Sequence, residues 1–146
     1  MRSRVGQDRR TRTWSALAAV VAVVGAITMA GCSSGPPAYC TDRTNLENSI
    51  KGLTSLNVSS GVSGLEAQVK KIESDATTLV NSAKSDFPSQ TSAITSSVDA
   101  LKTSVHQVAS GPTAANIATL TTNAASVVRA VKDFTDATNS KCGSGS

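Results

Sequence analysis

Few side chains in this sequence could do chemistry, and their spacing decides what kind. It holds one histidine, His106, and three cysteines, Cys32, Cys40 and Cys142. A zinc site needs three or four His, Cys or carboxylate ligands converging on one point. No Cys, Asp or Glu stands at ligand spacing from His106, and the same isolation argues against a histidine-based catalytic triad. Glu73 and Asp75 are close in sequence, as a glycosidase pair would have to be in space. Two residues apart on a helix, however, they point to different sides. The residues therefore imply no catalytic set, no metal and no cofactor.

One cysteine has a context. Met29-Ala30-Gly31-Cys32 closes an apolar run, Ala16 to Ile27, that carries no charge. Before the run, Met1 to Thr13 holds Arg2, Arg4, Arg9, Arg10 and Arg12 against Asp8 alone. A basic head, roughly 7–15 apolar residues and then small residues form the secretory pattern. The run is too short for a comfortable membrane span, which needs about 20 apolar residues. Arg9-Arg10 also admits twin-arginine export, although Thr11-Arg12-Thr13 stands where apolar residues are expected.

Ala30-Gly31-Cys32 resembles the lipobox of bacterial lipoproteins, with Met29 where that family usually has Leu. The resemblance covers the first 32 residues. It implies a signal peptide over 1-31, a diacylglyceryl group on the Cys32 sulfur, and a protein held at the extracytoplasmic face of the cell membrane. Cleavage after Ala30 to give a secreted protein, or an uncleaved N-terminal anchor, are the alternatives. Gly31-Cys32-Ser33-Ser34-Gly35 also spells the hydrolase elbow G-x-S-x-G. That elbow needs a strand before it and a helix after it, and signal cleavage would remove Gly31. With Cys32 taken by lipid, Cys40 and Cys142 remain as an even pair in an oxidising compartment. A disulfide between them is the expectation.

The formal charge of +4 belongs to the signal, whose five arginines and one aspartate account for all of it. The rest holds nine basic and nine acidic residues, so a nucleic-acid-binding field has no support. Only Tyr39, Phe87 and Phe134 are aromatic after the signal, too few for stacking platforms. Lys70-Lys71 reads as solubility rather than an anion site. Asn57-Val58-Ser59 matches a glycosylation sequon, whose machinery a bacterial lipobox makes improper to assume.

These residues sit on a helical pattern. Residues 32-40, with Pro36-Pro37, read as a spacer reaching roughly 25 Å when extended; 41-142 read as a bundle domain and 143-146 as a tail. Leu46, Ile50, Leu53 and Leu56 recur at helical spacing, with Thr41 or Asp42 as N-cap and Gly52 as a weak point. The Ser/Gly-dense stretch Asn57 to Gly64 reads as a loop. Leu65, Val69, Ile72, Ala76, Leu79 and Ala83 then step as a heptad seam up to Phe87-Pro88. Ile94, Val98, Leu101, Val105 and Val108 repeat the rhythm up to Gly111-Pro112. Ile117, Leu120, Ala124, Val127, Val131 and Phe134 carry it to about Thr138. Glu66–Lys70, Arg129–Asp133 and Lys132–Asp136 are expected as i,i+4 pairs on the outside.

The expected fold is all-α: an antiparallel up-and-down bundle of four helices with a terminal disulfide, three helices being the alternative. An even number lets Cys40 and Cys142 meet. Small seam residues imply a narrow core with little room for a ligand. The expected function is a non-enzymatic, lipid-anchored envelope protein that contacts another envelope protein or cell-wall polymer; the alternative is a module holding a lipid or small apolar ligand between its helices. The loops farthest from Cys40, around Ser60 and Ser110, would be the most accessible docking surface. The Ala/Val/Thr bias and terminal cysteine pair resemble small exported proteins of high-GC Gram-positive bacteria, a likeness that carries no function with it.

Overall fold

Serine and threonine are poor helix-interior residues when their hydroxyls compete for backbone hydrogen bonds. In this chain the competition is absorbed inside the helix. Thr77, Thr103, Thr121 and Ser126 each donate to the carbonyl four residues back, at 2.8–3.0 Å. The computed structural model describes residues 35–56 and 60–143. It contains four helices: α1 (Ala38–Thr54), α2 (Gly61–Ala83), α3 (Pro88–Ser110) and α4 (Ala114–Cys142). No strand occurs among the described residues. Cys32 and the 1-31 segment lie outside them, as do residues 57–59 and 144–146.

Neighbours in sequence are neighbours in space. α1 packs on α2, α2 on α3, α3 on α4, and α4 returns to α1, with no close approach across the diagonals. This is the four-helix up-and-down bundle. The two central seams are as expected but for Leu65, which is half-buried: Val69, Ile72, Ala76, Leu79 and Ala83 of α2 are buried, as are Ile94, Val98, Leu101, Val105 and Val108 of α3. Each Val, Leu and Ile among them contributes about 1.5–3 kcal/mol of hydrophobic transfer when fully buried.

The helix ends differ from the sequence expectation in instructive ways. α1 begins at Ala38 with Pro37 as its N-cap, so the caps expected at Thr41 or Asp42 lie inside the helix. The spacer stops at Pro37 rather than at 40, and Tyr39 and Cys40 are buried in the first helical turn. α2 begins at Gly61, within the stretch expected as loop. Gly61 has φ +57, a left-handed conformation that costs a side-chain-bearing residue about 1–2 kcal/mol. A Cβ on Gly64 would meet the Ser60 Cβ at 2.7 Å. The Ser/Gly density there serves a tight helix start.

Pro88 opens α3 at a position where its missing N–H is not needed. Thr113 caps α4 by accepting from the Asn116 N–H at 3.2 Å. The Asn116 side chain holds the α3–α4 turn by donating to the Gly111 carbonyl at 2.7 Å. α4 continues past Thr138 to Cys142.

Candidate functional site

The circuit of helices closes between α1 and α4, and that closure is unequal along its length. At the Cys40 end it is stitched covalently: Cys40 and Cys142 form a disulfide with their Cα atoms 5.4 Å apart. Tyr39 of α1, Phe134 of α4 and Phe87 of the α2–α3 turn meet edge to face, with centroids 5.5–6.2 Å apart. Such contacts add about 0.5–1.5 kcal/mol beyond area burial. The Tyr39 hydroxyl is buried without a hydrogen-bond partner among the described residues.

One turn further in, Arg43 is only 5 % exposed. Its Nη1 donates to Thr138 Oγ1 at 3.2 Å and Asn139 Oδ1 at 3.4 Å, and its Nε faces Glu47 Oε1 at 3.7 Å. Glu47 in turn accepts from Thr135 Oγ1 at 2.8 Å. These five residues make the polar part of the α1–α4 contact. Sequence reasoning missed Arg43, whose charge marked it as surface; its spacing of four from Tyr39 and three from Leu46 was the available signal.

The same register, Cys40 with Cys142, Arg43 with Thr138 and Glu47 with Thr135, sets the end of α1 at Thr54 opposite Val128. α1 has 17 residues and α4 has 29, so the first half of α4 has no α1 beside it. The consequence is visible in burial: the buried residues of α4 start at Val127. Before it, Leu120 and Ala124 are half-buried, and Ile117, expected in the core, is 48 % exposed. Val128 is 47 % exposed and Val62, at the start of α2, 39 %. All three large exposed apolar residues of the described chain thus belong to the end away from the disulfide or to the margin of the gap.

The gap is a groove of about 460 Å³, lined by Ile50, Leu53, Leu65, Leu120, Ala124 and Val128. At Ile50 and Val128 it adjoins a second recess of about 280 Å³ that reaches Glu47, Lys51 and Lys132. The expectation of little room between the helices does not hold at this end. Small seam residues let helices approach, but they cannot close a gap where the partner helix has ended.

The remaining candidates are engaged elsewhere. His106 is exposed, beside Glu66, Lys70, Glu73 and Lys102 in a shallow depression. No group of three His, Cys, Asp or Glu able to hold a metal occurs among the described residues. Glu73 reaches α3, where Lys102 donates to it at 2.6 Å. That hydrogen bond first, and the carboxylate's charge second, hold the Lys102 ammonium above the usual lysine range. Asp75 faces α1 instead, where it accepts from the Ser49 hydroxyl, and Lys71 donates to both at 3.0 and 2.7 Å. The two carboxylates do point apart. Lys132–Asp136 closes as expected, but Glu66–Lys70 and Arg129–Asp133 are not among the ion pairs of the described residues; Lys71–Asp75 and Arg43–Glu47 are.

No helix among the described residues is long and apolar enough to cross a membrane. Comparison with protein-family models, with curated proteins and with solved structures gives no match to this chain.

Proposed function

We propose that this chain is a non-enzymatic protein of the cell envelope, tethered to the outer face of the cell membrane by a diacylglyceryl group on Cys32, that works by docking a protein at the open end of its bundle. The observation that carries the reading is the exposure of both Ile117 and Val128 on the uncovered half of α4, eleven residues and so about three helical turns apart on one face. Apolar side chains exposed together rather than singly mark interaction surfaces. The lipobox resemblance supports the tether. The bundle supplies distance: α2 and α3, at 23 residues each, are roughly 35 Å long at 1.5 Å per residue. That length separates the open end from the Cys40 end, where the spacer joins.

A second reading is favoured by the groove itself, whose lining would suit an acyl chain or another small apolar ligand. A photo-crosslinking residue placed at Thr121, beside the groove, and at Asn81, on the outer face near the Cys40 end, separates the two. Irradiation of intact cells carrying the full chain should give protein adducts from position 121 and none from 81. Equal adducts at both positions would remove the docking reading, and adducts to lipid alone would install the second one. Labelled fatty acid entering a Cys32→Ala chain as readily as the parent would remove the tether.

A further inference from the structure

We infer that the protein docked on the open half of α4 is a second copy of this chain, its α4 lying parallel to the first about a two-fold axis that runs along the bundle. This rests on the reading of that end as a protein-docking surface.

The first reason is periodicity. Ala114, Ile117, Thr121, Ala124 and Val128 step by 3, 4, 3 and 4 along α4, the spacing of a coiled-coil seam. It shares Ala124 with the core seam but is rotated towards the α1 side, away from Leu120 and Val127, which face the core. Continued by the same steps it reaches Val131 and Thr135, where α1 lies over it. A seam covered by a helix over its second half, and by no described helix over its first half, is shaped for another helix, not for a small molecule.

The second reason is relief. The surface carries projections as well as a recess: Ile117 and Val128 stand nearly half exposed next to the groove floored by Leu53, Leu65 and Leu120. A patch bearing both can mate with itself, as a two-fold contact requires. A pocket built for a ligand alone has no need to leave two branched side chains standing in water.

Charge supplies the third reason. No Asp, Glu, Lys or Arg occurs between Lys102 and Arg129. Near a two-fold axis every charge meets its own like, so a self-docking surface must be neutral there or carefully alternating. This one is neutral. Ala118, Thr121 and Ala125 are also small enough to let two helices approach to about 8–10 Å. The seam from Ala114 to Val128 spans roughly 21 Å. Confinement of both copies to one membrane raises their effective concentration, and it selects the parallel arrangement, because both spacers then leave from the same end.

The test is site-directed crosslinking of the full chain in membranes, using Ile117→Cys, Thr121→Cys or Val128→Cys with a short bis-maleimide. Parent and Asn81→Cys chains serve as controls. The expected result is a covalent homodimer from all three positions, absent from both controls, and lost from Thr121→Cys when Ile117→Lys is added while helix content stays unchanged. A homodimer from Thr121→Cys alone would mean antiparallel helices and overturn the axis. Adducts only to other proteins would overturn self-docking while leaving the docking surface in place. No dimer, with a lipid that co-purifies with the parent and is lost from Ile117→Lys, would overturn both. If the chain is recovered in the soluble fraction the tether fails separately. The same crosslinks at raised protein concentration then decide the pairing, dimer supporting it and monomer overturning it.

Discussion

The two ends of this bundle are made from the same few residue types and finish differently. At the Cys40 end three aromatic rings, a disulfide and a buried arginine close the last gap in the circuit. At the other end the same gap stands open, because α1 stops at Thr54 while α4 extends twelve residues more than α1 in total length, 29 against 17. The difference teaches that heptad seams make helices pair, but helix length and register decide whether a bundle shuts. The closing pair, α1 with α4, has the slightest contact of the four, and it is held where the polar and covalent partners are.

That contrast can be broken most directly by truncation. Phe134→Ala, at a fully buried ring, should lower stability by about 3–5 kcal/mol, whereas Ile117→Ser should stay within about 0.5 kcal/mol in dilute solution. Urea denaturation followed by circular dichroism measures both, and equal losses would mean that the open end is as well packed as the closed one. Next in size is the disulfide. Replacing both Cys40 and Cys142 by Ser should cost about 2–4 kcal/mol, with about 4.7 as the chain-entropy ceiling for a loop of this length; the separation is 102 residues. Amide exchange should quicken first in α1 and in α4 beyond Val131, and a uniform rise across all four helices would show that the stitch is global.

The smallest effect sharpens the picture of α1. A Cβ on Gly52 would fall 2.6 Å from Gln68 Nε2, the atom that donates to the Ser49 carbonyl at 2.6 Å. Gly52→Ala gains about 0.5–1 kcal/mol of helix propensity and gives up a hydrogen bond of about 0.5–1.5 kcal/mol. The expected net change in the denaturation midpoint is close to zero. A clear gain would show that the Gln68 amide simply moves aside.

Most of the helical order was legible in the sequence because heptads report on one helix at a time. Every apolar seam residue of α2 and α3 except Leu65 is buried, and α3 buries Thr91, Ser97 and Ser104 besides. Helix ends were less legible. Pro36-Pro37 read as spacer, yet Pro37 is a cap; Ser60 to Gly64 read as loop, yet small residues were needed where the Ser60 Cβ and Gly64 crowd each other. The tail of α4 after Thr138 has no apolar residue to mark it, and it is ordered by Arg43, Asn139 and the disulfide. The groove was not legible at all. It arises from the relative lengths of two helices that are far apart in sequence, which no single periodicity contains. The disulfide pairing followed from the lipobox resemblance, and Cys32 itself lies outside the described residues.

The Cys40–Cys142 bridge has one more consequence, which is topological. It turns the folded chain into a closed ring of helices whose covalent circuit has no beginning or end. A single backbone cut at a turn inside it, at 84–87 or 111–113, opens that ring without releasing a fragment, so the pieces stay joined until a reductant divides them. The bridge thus makes a broken backbone invisible to any measurement that leaves the two sulfurs bonded.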